Sequence, residues 1–542
     1  QLINNDFLQG KGESRYLREL ETSASRGRIL DRNGDILAVS TPMKSIWAIP
    51  NDVAGSATTP GLSAGQRKEL ATILGMELKE LNRKLESDKN FVYIQRQVPP
   101  ETAARIMQMK LPGIHDDDEY RRYYPTGEMT AHIVGFTGVD DKGLEGVELA
   151  YQSSLLGRSG SRTVIKDRRG QIVEDVGATH LPQDGKDIRL ALDAKLQYIA
   201  FSQLKQAVLD NKAKAGGVVI LDAQNGEVLA LANWPTYNPN NREHLSGAQL
   251  RNRAVTDSFE PGSTMKPFTA ALALEQGHFR FNSIINCAPG KMTIGTATIS
   301  DAHPHGALSV AQVIQKSSNI GTTKMALTFP PKEMWEMFDS VGFGQSPRLG
   351  FPGEIGGRLR PWKSWRPIEQ ATMSYGHGIA VSLIQMARAY TVFARDGELL
   401  PLSLLKLDSP PLSGLRVFSP QTAREVRAML EMAVQPEGTA PQARVNGYRV
   451  AGKTGTALKL EGGVYANKYV ASFIGLAPVS DPRLIVAVMI DEPSGAKHYG
   501  GDVAGPVFSQ IMGGALRTLG IRPDAPNNTL QVAQGGSQGD AL

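Results

Sequence analysis

Serine followed three residues later by lysine is a spacing that suits nucleophilic catalysis, and the chain contains it four times. A serine hydroxyl is a weak nucleophile until a base removes its proton, and a neutral lysine amine can be that base. The pairs are Ser202/Lys205, Ser263/Lys266, Ser403/Lys406 and Ser494/Lys497. Because the spacing is so frequent, the surrounding residues must decide which pair could act.

The pair Ser263/Lys266 lies where the chain would expose a serine at the start of a helix. Pro261-Gly262 breaks the chain and a predicted helix continues through residues 268–277, so both side chains share one face of its first turns. Free backbone N–H groups at a helix start can stabilise an oxyanion. Burial and a second cation would lower the pKa of Lys266 towards the range useful for a base, so we predict another lysine close by.

Two further short motifs, each found once, supply residue types that could complete such a site. QKSSNIG contains Ser317 and Asn319 as the only Ser-x-Asn, and AGKTGTA contains Lys453 in the only Lys-Thr-Gly. Taken singly, the first could be a helix cap or turn, and the second a turn with a surface lysine. The second motif lies in a predicted strand, where Gly455 would let a substrate backbone lie against it.

Together and in this order, the three motifs resemble the active-site triplet of the penicillin-recognising serine acyltransferases. The resemblance implies that Ser263 is the nucleophile acylated by substrate and that Lys266 is its general base. It also implies that Ser317 relays a proton to the leaving amine and that Lys453 is the second cation.

The same resemblance implies which residues hold the substrate. Asn319 would hydrogen-bond the substrate amide, while Thr454 and Thr456 would bind the terminal carboxylate of the donor peptide. The backbone N–H groups of Ser263 and Thr456 would form the oxyanion hole. No cofactor and no metal are implied.

Motifs outside the triplet extend the resemblance over nearly the whole chain. RGRILDRNGDILA, RRYYPTGEMTAHIVGFTG and GLEGVE are similar to motifs of the non-catalytic N-terminal module of class B penicillin-binding proteins. YNPNN, RNRAVTDSFEPGST, RPIEQATMSYGHG and HYGGDVAGPVF are similar to the division-specific branch, the septal peptidoglycan D,D-transpeptidases of Gram-negative bacteria. The resemblance implies cross-linking of septal stem peptides through a serine acyl-enzyme that β-lactams inhibit covalently.

Partners and location are implied in the same way. The expected ligands are stem peptides ending in D-Ala-D-Ala and β-lactam antibiotics, and the N-terminal module is expected to dock the septal lipid-linked glycan polymerase and other division proteins. Family members are held in the inner membrane by one N-terminal helix, with the catalytic domain in the periplasm. Because the chain opens at Gln1 and no apolar run reaches about 18 residues, we expect this anchor to be absent from the sequence.

Length and patterning predict two domains and a terminal tail. A chain of 542 residues exceeds what one hydrophobic core usually organises. A stretch rich in Gly, Asp and Arg places the boundary near residue 185. We therefore predict an elongated, non-catalytic N-terminal module over 1–185, a transpeptidase domain over 186–522 and a disordered tail over 523–542.

The catalytic domain is predicted to be an α+β fold, with a five-stranded antiparallel sheet flanked by helices. Asp193 should cap a helix of period near 3.6, and a hairpin with an Asn-Gly turn should follow it. Three later strands and a closing helix are predicted at 448–457, 469–478, 483–491 and 505–519. In the N-terminal module we predict an Asn-Gly hairpin over 26–39 and helices over about 62–110.

Composition excludes several other classes. The net charge of +5 comes without a Lys/Arg run, so no nucleic-acid partner is expected. Cys287 is the single cysteine and is interpreted as a buried small hydrophobe. His303 and His305 lack a third metal ligand and are interpreted as a surface loop. Glu145 and Glu148 are interpreted as scaffold groups rather than catalytic carboxylates.

Two competing functions stay open at this stage. A serine β-lactamase or a carboxypeptidase would pass the acyl group to water, but no Glu-x-x-Leu-Asn lies between the second and third motifs, and a large N-terminal module would be superfluous. A penicillin-sensing domain or an inactive scaffold is the non-enzymatic alternative. The intact set of Ser263, Lys266 and Lys453 argues against inactivity, though not against sensing.

Overall fold

A computed structural model describes residues 17–55, 60–89, 91–166, 172–409 and 413–526, and the chain separates into two compact units. Unit 1 runs to Leu190 and also includes Tyr237–Leu245, whereas unit 2 comprises Ala191–Thr236 and the chain from Ser246 onward. The boundary at 190 lies close to the predicted position near 185. That Tyr237–Leu245 belongs to unit 1 was not predicted.

Unit 1 combines antiparallel strands with short helices. Its strands are β1 Leu17–Thr22, β2 Ile29–Leu30, β3 Ile36–Ala48, β4 Val92–Val98, β5 Ile114–Tyr123, β6 Gly160–Lys166, β7 Ile172–His180 and β8 Ile188–Arg189. Its helices are α1 Pro50–Ala54, α2 Ala64–Leu74, α3 Leu78–Leu85, α4 Pro100–Gln108, α5 Ala131–Val134, α6 Gly146–Ala150 and α7 Gln152–Leu155, with a 3-10 turn at Gly127–Met129. Strand β3 pairs with β2, β4 and β5, and β1, β6 and β7 form a separate sheet.

The predicted hairpin over 26–39 is confirmed, because β2 and β3 pair antiparallel on either side of its Asn-Gly turn. The predicted helical region over 62–110 is partly wrong, because β4 lies inside it and pairs with β3. Ile94 and Val98 of β4 are buried, but Arg96 stands at the alternate position between them. The apolar alternation typical of a strand is therefore broken in this segment, which left no clear strand signal there.

A buried ion cluster lies in unit 1. The Glu148 carboxylate accepts from Arg26 Nε at 2.6 Å and from Arg122 Nε at 2.7 Å, and the glutamate side chain is fully buried. The Arg122 guanidinium also donates to the Gly27 carbonyl at 2.8 Å. These contacts confirm that Glu148 is a scaffold group.

The segment Tyr237–Leu245 is tied into unit 1 by directional contacts. The Tyr237 hydroxyl donates to the Ala131 carbonyl at 2.9 Å. The Asn240 side chain accepts from Tyr124 N at 3.0 Å and donates to Tyr124 O at 2.8 Å. It thereby satisfies both backbone groups of Tyr124, as the backbone of a paired strand would. The predicted boundary therefore omitted a part of unit 1 that follows much later in the chain.

Unit 2 holds the remaining described elements. Its strands are β9 Ala215–Asp222, β10 Val228–Trp234, β11 Ile284–Asn286, β12 Lys291–Ile294, β13 Ala297–Ser300, β14 Ala307–Ser309, β15 Glu398–Leu399, β16 Leu415–Arg416, β17 Ala451–Glu461, β18 Val464–Ala477 and β19 Leu484–Asp491. Its helices are α8 Ala194–Asp210, α9 Gly247–Leu250, α10 Arg253–Thr256, α11 Lys266–Glu275, α12 Val310–Lys316, α13 Asn319–Ala326, α14 Pro331–Ser340, α15 Pro367–Ser374, α16 Leu383–Ala389, α17 Thr391–Ala394, α18 Pro420–Val434 and α19 Gly500–Thr518. The 3-10 turns are Gly262–Met265, Trp362–Ser364 and Pro441–Ala443.

The main sheet of unit 2 has five antiparallel strands in the order β10-β9-β19-β18-β17, which confirms the predicted α+β fold. The central strands β9 and β19 are almost wholly buried, as their continuous apolar runs indicate. A Cβ at Gly216 would meet Leu204 of α8, whereas one at Gly217 would meet Leu383 of α16. Helices therefore cover both faces of the sheet, and β17 remains at its edge.

The ends of unit 2 differ from expectation in two places. The closing helix begins at Gly500 rather than at residue 505, and Pro506 is accommodated inside it. The tail predicted as disordered from 523 is bound near its start, since Asp524 accepts from Arg449 N at 2.7 Å and Ser480 N at 3.0 Å. Residues 527–542 of that tail lie outside the described residues. Within the described ranges, no helix is long and apolar enough to cross a membrane.

Glu148→Gln tests the ion cluster of unit 1. The change removes the only carboxylate that both buried arginines contact among the described residues, which should lower the free energy of unfolding by about 3 to 5 kcal/mol. Urea-dependent pulse proteolysis with peptide mapping up to residue 190 would measure it. Glu145→Gln is the matched control, because Glu145 has no ion pair among the described residues, and it should change stability by less than about 0.5 kcal/mol. Equal effects of the two variants would contradict the cluster's role.

Candidate active site

Ser263 lies in a tight turn rather than at a helix cap. Residues Gly262–Met265 form a 3-10 turn that leads directly into α11 at Lys266. Side chains three residues apart eclipse one another in a 3-10 turn, which places Ser263 and Lys266 on one side. Ser263 makes no side-chain cap and is only half-buried, so its hydroxyl is accessible.

The Lys266 amine is fully buried and directed at residue 317. Its Nζ donates to the Ser317 carbonyl oxygen and, at 3.0 Å, to Ser317 Oγ. Lys453 Nζ is also fully buried and donates to the same Oγ at 2.9 Å. The second lysine predicted near Lys266 is thus confirmed, and one serine hydroxyl joins the two amines.

Both amines have lowered pKa values. Burial, followed by the like charge of Lys453, holds the pKa of Lys266 well below its ordinary value, while the Asp301 carboxylate opposes part of this effect. Burial lowers the pKa of Lys453 to about 7. Two charged amines in one dry site would be costly, so the arrangement favours a neutral Lys266.

Ser317 adopts a conformation that few serines adopt. It ends α12 with φ 60° and ψ 41°, in the left-handed region, where glycine or asparagine is usual. This geometry reverses the chain between α12 and α13. As a result, both the carbonyl and the hydroxyl of Ser317 accept from the lysines.

Asp301 holds this turn from the other side. Its carboxylate accepts from Ser318 Oγ at 2.7 Å and from Ile320 N at 3.0 Å. Asn319 is bound to the neighbouring residue, because its Nδ2 donates to the Ser300 carbonyl at 2.8 Å. Three consecutive residues of the second motif are therefore tied to the end of strand β13.

Threonine hydroxyls line the edge strand β17 beside Lys453. Thr454 Oγ1 donates to Thr439 Oγ1 at 3.3 Å and receives a contact from Lys453 Nζ at 3.4 Å. Thr456 Oγ1 accepts from Gly500 N at 2.9 Å, which leaves its own proton available as a donor. Hydroxyl groups beside a buried cation form a suitable site for a carboxylate.

Two glycines allow the turn over residues 260–265, which carries the candidate nucleophile Ser263 and is called the nucleophile turn below, to lie against its neighbours. A Cβ at Gly455 would lie 2.7 Å from the Pro261 carbonyl and 2.4 Å from Ser472 Oγ. A Cβ at Gly376 would lie 2.1 Å from the carbonyl oxygen of Gly262, whose N donates to Gly376 O at 3.1 Å. The space at Gly455, predicted for a substrate backbone, is thus taken up by the turn that carries Ser263.

Comparison with known proteins agrees with this geometry. Residues 216–513 match the family described as "Penicillin binding protein transpeptidase domain", and residues 21–190 match "Penicillin-binding Protein dimerisation domain". The chain is similar to the probable peptidoglycan D,D-transpeptidase PenA of Neisseria gonorrhoeae, with 45% identity over 97% of this chain and 90% of that protein. The chain belongs to the class B penicillin-binding proteins.

Two further comparisons place this penicillin-binding protein in the division-specific branch. The peptidoglycan D,D-transpeptidase FtsI of Escherichia coli K12 is 44% identical over 97% of this chain and 89% of its own length. The apo transpeptidase domain of Burkholderia pseudomallei penicillin-binding protein 3 is 52% identical, with a TM-score of 0.58 over 62% of this chain and 98% of that domain.

Sequence reasoning missed four residues of this penicillin-binding protein's site. They are Glu260, Asp301, Gly376 and Thr439, and all four contact a motif residue or its neighbour. Glu260 lies in a quoted motif only three residues before Ser263, so its position was a usable signal. Gly376 also lies in one of these motifs, RPIEQATMSYGHG, whereas Asp301 and Thr439 belong to none of them and come close only through the fold.

Gly376→Ala tests the packing of the nucleophile turn. The added methyl would collide with the backbone of Gly262, and displacing Ser263 by about 1 Å should slow penicillin acylation about 100-fold. Gly350→Ala is the matched control: Gly350 has φ +68°, yet no atom lies within 4 Å of its Cβ position. Stopped-flow acylation with a fluorescent penicillin would compare the two. If both variants slowed acylation equally, backbone strain at a positive φ, and not the collision with Gly262, would be the cause.

Proposed function

We propose that this peptidoglycan D,D-transpeptidase cross-links septal stem peptides through an acyl-enzyme on Ser263. The observation that carries the proposal is the pair of buried amines on one hydroxyl, Lys266 and Lys453 on Ser317 Oγ. A base must be neutral when it acts, and burial beside a second cation favours that state for Lys266.

Acylation uses the remaining lone pair of Lys266. A neutral amine has two N–H groups, and the carbonyl and hydroxyl of Ser317 accept both. The lone pair is then free to take the Ser263 proton while Oγ attacks the carbonyl carbon of the penultimate D-alanine. The resulting oxyanion would accept from the N–H groups of Ser263 and Thr456. Ser317 passes the proton to the departing D-alanine amine.

Substrate binding follows from the neighbouring polar groups. The terminal carboxylate would meet Lys453 together with the hydroxyls of Thr454 and Thr456. The Asn319 amide nitrogen gives one of its two N–H groups to the Ser300 carbonyl, so its second N–H and its side-chain oxygen remain for the substrate amide. Gly455 contributes by letting the nucleophile turn approach the strand rather than by direct contact.

Unit 1 is proposed to act as a docking module. No group of the catalytic set comes from it, and the family match over 21–190 is separate from the transpeptidase match. Its proposed partners are the septal lipid-linked glycan polymerase and other division proteins. The catalytic unit would work in the periplasm, where cross-linking takes place, with an N-terminal inner-membrane anchor as in its family.

Two substitutions test the acylation roles. Ser263→Ala should abolish the penicillin adduct while changing stability by less than about 0.5 kcal/mol, because Ser263 caps no helix. Lys266→Arg should slow acylation by about 10² to 10⁴-fold, since a guanidinium keeps its proton. Lys324→Arg is the control for Lys266→Arg, because Lys324 Nζ donates to the Asn286 carbonyl at 2.6 Å and to no residue of the three motifs among the described residues.

Intact-mass measurement after penicillin exposure shows whether each variant carries a covalent penicillin adduct. An adduct on the Ser263→Ala protein would remove Ser263 from the nucleophile role, and an active Lys266→Arg enzyme would remove Lys266 from the base role. The lifetime of the wild-type adduct separates a transpeptidase from a β-lactamase, which would release it rapidly to water.

The pH dependence of acylation tests Lys453. An anionic penicillin should bind best to the protonated amine, and burial lowers the pKa of Lys453 to about 7. The second-order acylation rate constant should therefore fall as pH rises through 7, by up to about tenfold per unit. In Lys453→Arg the cation persists, so the rate at pH 6 should stay within about tenfold of wild type and the alkaline fall should vanish. An identical alkaline fall in the variant would exclude Lys453 as its source.

A further inference from the structure

A carboxylate–histidine pair lies immediately beside the nucleophile turn. The Glu260 carboxylate contacts His377 Nδ1 at 3.1 Å and accepts from Gly378 N at 2.8 Å. The Tyr465 hydroxyl donates to both Glu260 oxygens, at 3.1 and 3.2 Å. Burial would raise the pKa of Glu260, but the hydrogen bonds from His377 and Gly378 outweigh it and lower that pKa, so the group is a carboxylate.

The contact with Glu260 determines the tautomer of His377. A carboxylate only accepts hydrogen bonds, so Nδ1 carries the proton and Nε2 of the neutral ring carries the lone pair. Within the described ranges, Nε2 has no hydrogen-bond partner, and it is not a buried atom. The ring is thus oriented through one nitrogen and offers a proton acceptor at the other.

The backbone before this imidazole packs against the residue before Ser263. Gly376, the residue before His377, contacts Gly262 so closely that a methyl would not fit between them. The rings of Tyr375 and Tyr465 meet the imidazole edge to face, with centroids 5.5 and 6.1 Å from its own. Glu260, Gly378 and Tyr465 line a cleft of about 390 Å³ next to this pair.

Transfer to an amine needs a proton acceptor that acylation does not need. During acylation the Ser263 proton leaves with D-alanine, so Lys266 returns to its neutral state. An amine acceptor arrives largely as an ammonium ion and must lose two protons to become an amide nitrogen. One of them returns to Ser263 Oγ through Lys266, and the other must go elsewhere.

We propose that His377 is the general base that takes this second proton from the acceptor ammonium, an inference that rests on the transpeptidase function proposed above. Nε2 removes one proton from the ammonium, and the free amine attacks the acyl carbon to form the new C–N bond. The nitrogen gives its next proton to Lys266, the C–Oγ bond breaks, and Lys266 protonates Ser263 Oγ. The imidazolium, stabilised by Glu260, then releases its proton to water.

The charged and titratable groups around the ring support this role. Glu260 from the nucleophile turn is the anion in contact with it, and Tyr375 and Tyr465 are its aromatic neighbours. Arg360 approaches the same loop at Gly378, 3.6 Å from its Cβ position, but pairs with Glu369 at 3.3 Å. The Glu260 carboxylate is therefore the anion that would face an imidazolium formed during transfer.

His377→Asn in the full chain separates this role from a structural one. The asparagine amide can still donate to Glu260, so the nucleophile turn keeps its contact, but the base is removed. With a D-alanyl thioester donor and D-alaninamide as acceptor, chromatography measures hydrolysis and aminolysis together. At pH 7 we expect aminolysis to fall about 100-fold, with penicillin acylation and hydrolysis within about twofold of wild type.

A pH series and a control complete the test. At pH 9.5 the acceptor is largely a free amine, so the variant's aminolysis should recover to within about threefold of wild type. His278→Gln is the matched control, because that histidine stacks on Phe329 and should leave both reactions unchanged. An unchanged ratio of aminolysis to hydrolysis in His377→Asn, or a loss that persists at pH 9.5, would overturn the role of His377. Absence of a penicillin adduct on wild-type Ser263 would instead overturn the proposed function.

Discussion

The candidate site depends on one shared hydrogen-bond acceptor, the Ser317 hydroxyl, between two buried amines. Neither lysine is solvated, so the site cannot hold two full positive charges at low cost. The fold resolves this by lowering the pKa of both groups through burial, and the like charge of Lys453 adds to the effect on Lys266. A residue type that is normally a surface cation thereby becomes suited to accept a proton at neutral pH.

The residues around the two lysines limit how far the pKa of Lys266 is lowered. Asp301 raises the pKa of Lys266 while binding Ser318 and Ile320, so one carboxylate both moderates the electrostatics and holds the left-handed turn at Ser317. A turn with this conformation costs roughly 1 to 3 kcal/mol and persists only where its surroundings determine it. The strain at Ser317 thus coincides with the atoms that orient both lysines.

Close backbone contacts complete the arrangement. Gly376 and Gly455 lie against the turn that carries Ser263, at distances that exclude any side chain. Residues on three separate chain segments therefore determine where one hydroxyl lies. Glu260 extends this arrangement by linking the same turn to His377 and to Tyr465 of strand β18. The site is accordingly a property of the packed unit and not of any single motif.

The sequence by itself determined the three motifs, the α+β class and the strands of the main sheet, because apolar periodicity and turn residues are local signals. It also indicated that a second lysine should lie near Lys266, since the chemistry of a lysine base requires one. Only the tertiary structure decided that Gly455 makes room for the nucleophile turn, that Asp301 and Thr439 adjoin the motifs, and that Tyr237–Leu245 joins unit 1. These contacts join residues far apart in the chain, and no local pattern records which distant segment fills a given space.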